Sequence, residues 1–312
     1  MQKTPDPTAA PARATPSVAF LGLGPMGTAL ARCAASAGYS TVGWNRSPIK
    51  SEFLDAAGVQ RATSAEEAIE RAQVVIVCVA HYSASRAILE QPGVRSALRG
   101  RILIQLSTGR PSEARALARW AEQAGARYID GAILVTPSQI GTPEAAMLLA
   151  GNPSAFAEAQ SILRALAPNL DWVGTDAGAA AALDLAFLSH FFGGLLGFYH
   201  GARILEAEGL PVARLGQMIE QVAPALGTIV AHDANRISSE QYLGSESTLQ
   251  TCANALNLIH AHAEEVQLDK RFAHFAYSLF SDGVARGYGA EDAAALMKVL
   301  RAAAGSRSSG GR

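Results

Sequence analysis

The sequence predicts an α/β N-terminal domain, built on a doubly wound parallel sheet, and an all-α C-terminal domain joined to it by a long interdomain helix. Short apolar runs alternate with helical patterns through the first half, as expected for a parallel sheet with right-handed crossovers. After residue 177 the strand signals end, and a single apolar helical pattern continues to about residue 208. These two observations together predict two domains of different class.

The first half contains five apolar, β-branched runs that we interpret as strands, at 18–21, 40–44, 74–79, 101–105 and 128–133. Helical patterns lie between them at 28–37 and 111–124. Ser64 is followed by Ala65, Glu66 and Glu67, and this arrangement is typical of a helix N-cap with an acidic third position. The run 74–79 is apolar throughout, as in a strand that is buried on both faces.

The predicted domain organisation has four parts. A tail rich in Pro, Ala and Thr covers residues 1–16, and a short tail covers 306–312. Both compositions predict disorder. Between them we place a nucleotide-binding domain at 17–177 and a helical domain at 178–305, which includes the long helix. That helix is too apolar to be covered by a small domain alone, so it favours a homodimer.

Composition excludes several classes of protein. The 312 residues carry a formal net charge of −1 and no basic block, which argues against nucleic acid as a partner. No signal peptide is expected, and no run approaches the roughly 20 apolar residues of a membrane span. The three cysteines are far apart, which indicates reduced thiols in a cytoplasmic protein. The histidines form no set with metal-ligand spacing, so no metal site is expected.

The most specific motif of the first half is Gly22-x-Gly24-x-x-Gly27, between the first predicted strand and helix. In a dinucleotide-binding turn, the first glycine permits the tight bend and the second allows the backbone to approach a pyrophosphate. The third lets the helix pack on the sheet. The helix N-terminus then supplies amide donors to the phosphates. The context therefore predicts a Rossmann domain rather than a purely structural glycine turn.

The end of the second predicted strand favours NADPH over NADH. NAD-specific sites usually hold an acidic residue there, but this chain has Asn45, Arg46 and Ser47, with Lys50 one turn further on. A guanidinium can hold a 2′-phosphate through paired hydrogen bonds, whereas a carboxylate would repel it. The alternative is that Arg46 is a solvated loop residue.

Asp184 is the most informative residue of the second half. It lies between Ala179–Ala182 and Leu185–Leu188, so both of its flanks are apolar. An isolated aspartate near a helix start is more often a cap or a solvated residue. An unpaired carboxylate is costly to bury, however, and this setting favours a functional role.

Five segments resemble one enzyme family: GLGPMG at 22–27, WNRS at 44–47, QLSTG at 105–109, YIDGAILVTPSQIG at 128–141 and GAAAALDLAFLSHFFG at 178–193. They are similar to the imine reductases and reductive aminases, a branch of the β-hydroxyacid dehydrogenase superfamily. In the hydroxyacid dehydrogenases a serine and paired glycines bind the substrate carboxylate, and a lysine stands where this chain has Asp184. Both features are absent from this sequence.

The resemblance implies a Rossmann domain joined by a long helix to a helical domain. It also implies a homodimer that exchanges helices, so that each active site forms between one chain's Rossmann domain and its partner's helical domain. The residues expected around NADPH are Gly22, Leu23, Gly24, Pro25, Met26, Asn45, Arg46, Ser47, Lys50, Val79, Ala80, Ser107 and Thr108. Asp184 would face the reacting nitrogen, and the expected substrate pocket consists of Ile133, Phe192, His232 and Tyr242.

The chain departs from the family pattern at three places. It reads Ala80-His81-Tyr82 where relatives are usually acidic at the first loop position, and it has Leu183 and Phe192 where many relatives carry tyrosine. The resemblance therefore implies a pocket less polar than in many relatives.

The resulting hypothesis is NADPH-dependent reduction of imines, by hydride transfer to a C=N bond. The substrates would be cyclic imines or an amine with a carbonyl compound. A carboxylate about 4 Å from an iminium stabilises the positive charge by roughly 4 kcal/mol at an effective dielectric near 20. Asp184 would either stabilise this charge or donate the proton itself. Two alternatives remain: a β-hydroxyacid or aldehyde reductase of the same superfamily, and a catalytically inactive NADPH-binding protein.

Overall fold

The computed structural model describes residues 16–47, 57–244 and 247–305. Contacts divide the chain into two compact units, Met1–Ser189 and His190–Arg312, with the boundary inside the longest helix. The first unit is α/β and the second is helical, so the predicted fold class is confirmed. The contact boundary lies beyond the predicted division at 177 and 178, which stays a prediction. The predicted tails fall outside the described residues, apart from Pro16.

An eight-stranded sheet forms the centre of the first unit, in the order β3-β2-β1-β4-β5-β6-β7-β8. The strands are β1 (Val18–Leu21), β2 (Thr41–Trp44), β3 (Gln60–Arg61), β4 (Val74–Val77), β5 (Ile102–Gln105), β6 (Arg127–Ile133), β7 (Ala146–Gly151) and β8 (Asn169–Gly174). Strands β1 to β6 all pair parallel with one another. All five predicted strands are present, with small differences at their ends.

The sheet changes direction at β7, which the sequence interpretation did not anticipate. β7 pairs antiparallel with β6, and β8 is parallel to β7. A parallel pair needs a crossover, usually a helix, whereas β6 and β7 are linked through the short 3₁₀ turn Pro137–Gln139. The predicted parallel sheet therefore holds for its first six strands only.

Helices lie between these strands. They are α1 (Pro25–Ser36), α2 (Ala65–Glu70), α3 (Tyr82–Leu89), α4 (Val94–Ala97), α5 (Pro111–Gln123) and α6 (Pro153–Leu166). The Ser64 hydroxyl accepts the backbone N–H of Glu67 at 3.0 Å, which confirms the predicted N-cap. α1 begins at Pro25 rather than at Thr28, since proline is well suited to the first helical position.

The helices of the second half are α7 (Gly178–Ala207), α8 (Ala213–Ser239), α9 (Leu249–Glu265), α10 (Arg271–Gly283) and α11 (Leu296–Gly305). The 30 residues of α7 confirm the predicted long helix. By length and composition α7 is able to cross a membrane, with a mean hydropathy of 1.6 and 17% of the stretch buried. The expectation that no run approaches the length of a span was therefore wrong.

Many large apolar side chains of α7 and α8 are exposed in the single chain. On α7 they include Phe187, Phe191, Leu196 and Tyr199, and on α8 they include Ile229. An apolar surface of this extent is typical of a face that another molecule covers.

Candidate active site

The glycine motif makes a tight turn between β1 and α1. Gly22 has φ +97°, and a Cβ added to it would lie 2.4 Å from the Cys78 carbonyl oxygen. A Cβ on Gly27 would lie 2.0 Å from the Gly22 carbonyl oxygen. Both positions therefore require glycine, one for its backbone conformation and close packing and the other for close packing alone.

Gly24 differs from these two glycines because space is open around it. It has φ −67° and is the N-cap of α1, and an added Cβ would meet no described atom within 4 Å. Among the described side chains, none caps this end of the helix. The first amides of α1 are thus available to a ligand, and a dinucleotide pyrophosphate fits the need for anionic oxygens close to the backbone.

Asn45 connects the glycine turn to the end of β2. Its side-chain oxygen accepts the Leu23 N–H at 2.9 Å, and its side-chain nitrogen donates to the Ser47 carbonyl at 3.0 Å. The Gly22 N–H donates to the Trp44 carbonyl at 2.9 Å, so the two loops are held side by side. A carboxylate at position 45 could accept the first bond but could not make the second.

A cleft of about 490 Å³ opens beside these loops. Five of the predicted cofactor residues line it together: Asn45, Arg46, Ser47, Val79 and Ala80. The remaining wall comes from the first half of α3 and its N-cap, His81, with Ile88 and Gln91 at the far end. The described lining contains no acidic residue, and Arg46 is exposed to it. This chemistry suits a phosphorylated ribose.

Ser107 and Thr108 follow β5 at the same edge of the sheet. Ser107 is buried, and its hydroxyl accepts the Val79 N–H at 3.0 Å, whereas Thr108 is exposed. Ser107 thus fixes the loop that follows β4, and only Thr108 is open to a ligand in this structure. Lys50, the remaining predicted cofactor residue, lies outside the described residues.

Asp184 is buried on α7, with 5% of its surface exposed. Its neighbours Leu183 and Leu185 are 43% and 38% exposed, so the helix buries its acidic residue and exposes its leucines. Burial raises the pKa of the Asp184 carboxyl group. Within the described ranges, no cationic side chain forms an ion pair with it. Charged side chains are usually exposed and leucines buried, so this part of α7 shows the opposite of the usual arrangement.

A second buried carboxyl group, Asp130, belongs to the same part of the unit. It is 1% exposed, near the middle of β6. The hydroxyls of Tyr82 and Tyr128 both donate to its Oδ1 atom, the latter at 2.9 Å. The backbone N–H of Ala181 also favours its ionised form. Burial raises the pKa of Asp130 to about 7, opposed by the tyrosine hydroxyls and increased by the charge of Asp184.

The four residues of the predicted substrate pocket do not all belong to one unit. Ile133 ends β6 in the first unit and is half-buried, and Phe192, His232 and Tyr242 belong to the second. Phe192 and His232 are exposed, whereas Tyr242 is buried, with the Lys298 ammonium 5.1 Å from its ring centroid. The roles of these residues stay predictions.

From the sequence alone, no role was predicted for Tyr82, Tyr128 or Asp130. A charged residue inside the apolar run 128–133 was the available signal, since a buried carboxylate needs partners. Its partners lie on two elements, and Tyr82 is distant in sequence, so the network itself was not visible. Among the described residues, no cluster of three or more potential ligands could hold a metal.

Comparisons with known proteins agree with this geometry. Residues 17–174 match the family model of the NAD-binding domain of 6-phosphogluconate dehydrogenase. Residues 176–302 match the model of the NADPH-dependent reductive aminase-like C-terminal domain. The chain is 30% identical over 292 residues to an NADPH-dependent reductive aminase from Aspergillus oryzae, covering 91% of this chain and 97% of that protein.

Solved structures give the same result. An imine reductase from Myxococcus stipitatus in complex with NADP⁺ superimposes with a TM-score of 0.87 at 33% identity, covering 91% of this chain and all of the other. A reductive aminase from Aspergillus terreus in complex with NADPH and ethyl levulinate has a TM-score of 0.86 at 29% identity, covering 92% of this chain and all of that one. On this evidence the chain belongs to the imine reductase and reductive aminase family.

Proposed function

We propose that this protein is an NADPH-dependent imine reductase that reduces cyclic imines, or the imine formed from an amine and a carbonyl compound, to an amine. The observation that carries the proposal is the buried carboxyl group of Asp184, which lacks a cationic partner among the described residues. A protonated C=N bond would supply the missing positive charge. A substrate that develops negative charge on oxygen, as a ketone or aldehyde does, would be repelled there.

The cofactor would lie along the loops that follow β1, β2, β4 and β5. Gly24 and the first amides of α1 would hold the pyrophosphate, and Arg46 would hold the 2′-phosphate. Thr108, which is exposed at the same edge of the sheet, would donate its hydroxyl. When bound, NADPH supplies the hydride. Lys50 remains a proposed contact to the 2′-phosphate.

Asp184 would act on the substrate nitrogen. An ionised carboxylate about 4 Å from an iminium stabilises its positive charge by roughly 4 kcal/mol. This raises the pKa of the iminium by about three. Because the group is held in a buried position before substrate arrives, little reorganisation is needed during hydride transfer. Since burial raises the pKa of Asp184, the same group is able to deliver a proton at lower pH.

The test is NADPH oxidation, followed at 340 nm, with 2-methyl-1-pyrroline as substrate and pyruvate as an oxo-acid control. We expect oxidation with the imine only. Asp184→Asn keeps the shape and removes the charge, so kcat/KM should fall by about 10³-fold, the equivalent of roughly 4 kcal/mol. The dissociation constant of NADPH, measured by calorimetry, should stay within a factor of two to three.

Asp176→Asn is the matched control for this test. It removes an exposed carboxylate that lies just before the same helix and is paired with Arg115. Its kcat/KM should be close to that of the wild type. Turnover of pyruvate but not of the imine would favour a hydroxyacid or aldehyde reductase. NADPH binding without oxidation by any of these substrates would favour an inactive cofactor-binding protein.

We further propose that the enzyme is a homodimer whose second copy covers the exposed apolar faces, with helices exchanged between the chains. Leu196 and Tyr199 on α7 are each 57% exposed, and Ile229 on α8 is 56% exposed. Burying apolar area of this kind stabilises association by roughly 25 cal/mol per Å² before entropic costs. The buried carboxyl group of Asp184 within α7 favours a protein partner over lipid for this helix.

A cytoplasmic location fits the state of the cysteines. Cys33, Cys78 and Cys252 are all free thiols, and burial raises the pKa of Cys78 to about 11, which makes it unreactive. Free thiols are typical of a reducing compartment. We therefore place the dimer in the cytoplasm, with small-molecule imines, amines and carbonyl compounds as its partners.

A further inference from the structure

Hydrogen bonds hold the carboxyl group of Asp130 in one position. Both tyrosine hydroxyls donate to the same oxygen, Oδ1. Tyr82 approaches from the start of α3, and Tyr128 lies two residues earlier on the same strand and therefore on the same face of the sheet. Gly109 makes room for this arrangement, because a Cβ there would lie 2.2 Å from the Tyr82 ring.

The carboxyl group of Asp130 also lies close to the helix that carries Asp184. Its two tyrosine partners pack in one buried cluster with Ala177 and Ala181, and the backbone N–H of Ala181, three residues before Asp184, lowers the pKa of Asp130. Residues three apart lie on the same face of a helix, about one turn apart. Ala177, Ala181 and Asp184 are all buried, so this face of α7 is the one turned to the interior of the first unit. Asp130 and its tyrosine partners thus lie against the turn from which Asp184 projects.

We propose that Asp130 is a positioning residue for Asp184: it fixes the helical turn that presents Asp184 and places a second, titratable carboxyl group behind it. This inference rests on the proposed function of Asp184. Asp130 has no assigned contact with substrate or cofactor, so its influence on the reaction would pass through Asp184.

The groups that face Asp130 determine its charge. They are Tyr82 of α3, Tyr128 of β6 and Asp184 of α7, and Glu113 of α5 acts on Tyr82. Among the described residues, no cation offsets the two carboxylates. Like charges in one buried site disfavour double ionisation, so the pair titrates as a coupled unit. As the pH rises through about 7, the pocket behind Asp184 therefore gains a second negative charge.

The first test is the carboxyl titration of Asp130, followed by ¹³C NMR of protein labelled at the aspartate carboxyl carbon. The Asp130 resonance is identified by its loss in Asp130→Asn. In Asp184→Asn, removal of a like charge should lower the pKa of Asp130 by about one pH unit. In Tyr128→Phe, loss of a donor to the ionised form should raise it by about as much.

These opposite shifts separate the proposal from a purely structural role. If Asp130→Asn fails to fold, the Asp130 resonance is identified instead by its shift in Tyr128→Phe, which removes a direct donor to that carboxyl group. A titration of Asp130 that is insensitive to Asp184→Asn would overturn the proposal, whether or not the protein reduces imines. Asp176→Asn, the exposed control just before the same helix, should leave the Asp130 titration unchanged.

The second test is the pH profile of kcat/KM for 2-methyl-1-pyrroline. The wild type should show a step near pH 7, Asp130→Asn should lack it, and Tyr128→Phe should move it to higher pH. NADPH affinity should be the same in all three. If imine turnover is present but all three profiles coincide, Asp130 does not act through Asp184. If turnover is absent in the wild type, the proposed function fails while the NMR result still stands.

Discussion

The hydroxyl of Tyr128 donates a 2.9 Å hydrogen bond to the carboxyl group of Asp130, its neighbour but one on β6. Neither side chain reaches solvent, since each is at most 2% exposed. Burial and the facing carboxylate raise the pKa of the tyrosine as well. A buried acid held in this way makes the free energy of unfolding depend on pH.

Asp130 should make the protein less stable as the pH rises. Its pKa is raised from the ordinary value of 3.8 to about 7, so the native state holds a proton that the unfolded chain has already lost. The stability that this bound proton contributes is therefore fully present below about pH 4 and is lost as the pH rises towards 7. The free energy of unfolding of the wild type, relative to Asp130→Asn, should fall by roughly 4 kcal/mol between pH 4 and 8.

Urea denaturation followed by circular dichroism at several pH values measures this difference. Asp176→Asn is the control of opposite sign, because Arg115 and the Gly178 N–H hold the pKa of that exposed carboxyl group at about 2. Parallel curves for the wild type and Asp130→Asn would contradict the prediction.

Two alanine substitutions in the glycine motif should have contrasting effects. Gly22→Ala forces a side chain into φ +97° and against the Cys78 carbonyl, so it should destabilise the first unit by at least about 2 kcal/mol. Gly24→Ala meets no described atom and has an ordinary φ, so the thermal midpoint should hardly change. NADPH binding should nevertheless weaken tenfold or more in Gly24→Ala, because the methyl group occupies the approach of the pyrophosphate.

Calorimetric titration with NADPH and thermal unfolding of the same samples measure both quantities. If Gly24→Ala bound NADPH as tightly as the wild type, the pyrophosphate would have to be placed elsewhere.

Arg46→Ala should change cofactor preference more than activity as such. A charge-assisted hydrogen bond contributes about 1.5 to 3 kcal/mol, so the affinity for NADPH should fall by roughly 10- to 100-fold. Affinity for NADH, which lacks the 2′-phosphate, should change little. Arg119→Ala removes an exposed arginine of α5 away from the cleft and serves as the control. Equal losses for the two cofactors would indicate that Arg46 supports the loop rather than the phosphate.

A charge on the exposed face of α7 should prevent association. Light scattering of the wild type should give twice the chain mass of 32.5 kDa, and Leu196→Glu should give the monomer. The reason is that a carboxylate would have to be buried without a partner. Arg119→Glu, on a polar surface, should remain dimeric. A dimeric Leu196→Glu would mean that this part of α7 lies outside the interface.

Much of the fold could be predicted because local signals and global architecture agree in the first half. The run 74–79 and the glycine motif each have one natural reading, a buried strand and a strand-turn-helix junction. The reversal at β7 could not be predicted in the same way. Whether a strand pairs parallel or antiparallel depends on the connection, and nothing in the residues 134–145 excludes a longer crossover.

The candidate site could be predicted where one residue carries the chemistry, and not where several share it. Asp184 stood out because its flanks are apolar, and the structure buries it. Asp130 was visible as a charged residue within a strand, but its donors Tyr82 and Tyr128 come together only in the folded sheet. Contacts that join distant segments leave no local pattern in a single sequence.

The absence of a Cβ at Gly109 limits which substitutions the protein can accept at positions 82 and 109. The ring of Tyr82 fills the volume that a methyl group at position 109 would need. A larger residue at 109 would displace the ring, and Asp130 would lose one of its two phenolic donors. The loop after β5 and the beginning of α3 therefore cannot mutate independently, and a variant library should randomise positions 82 and 109 together.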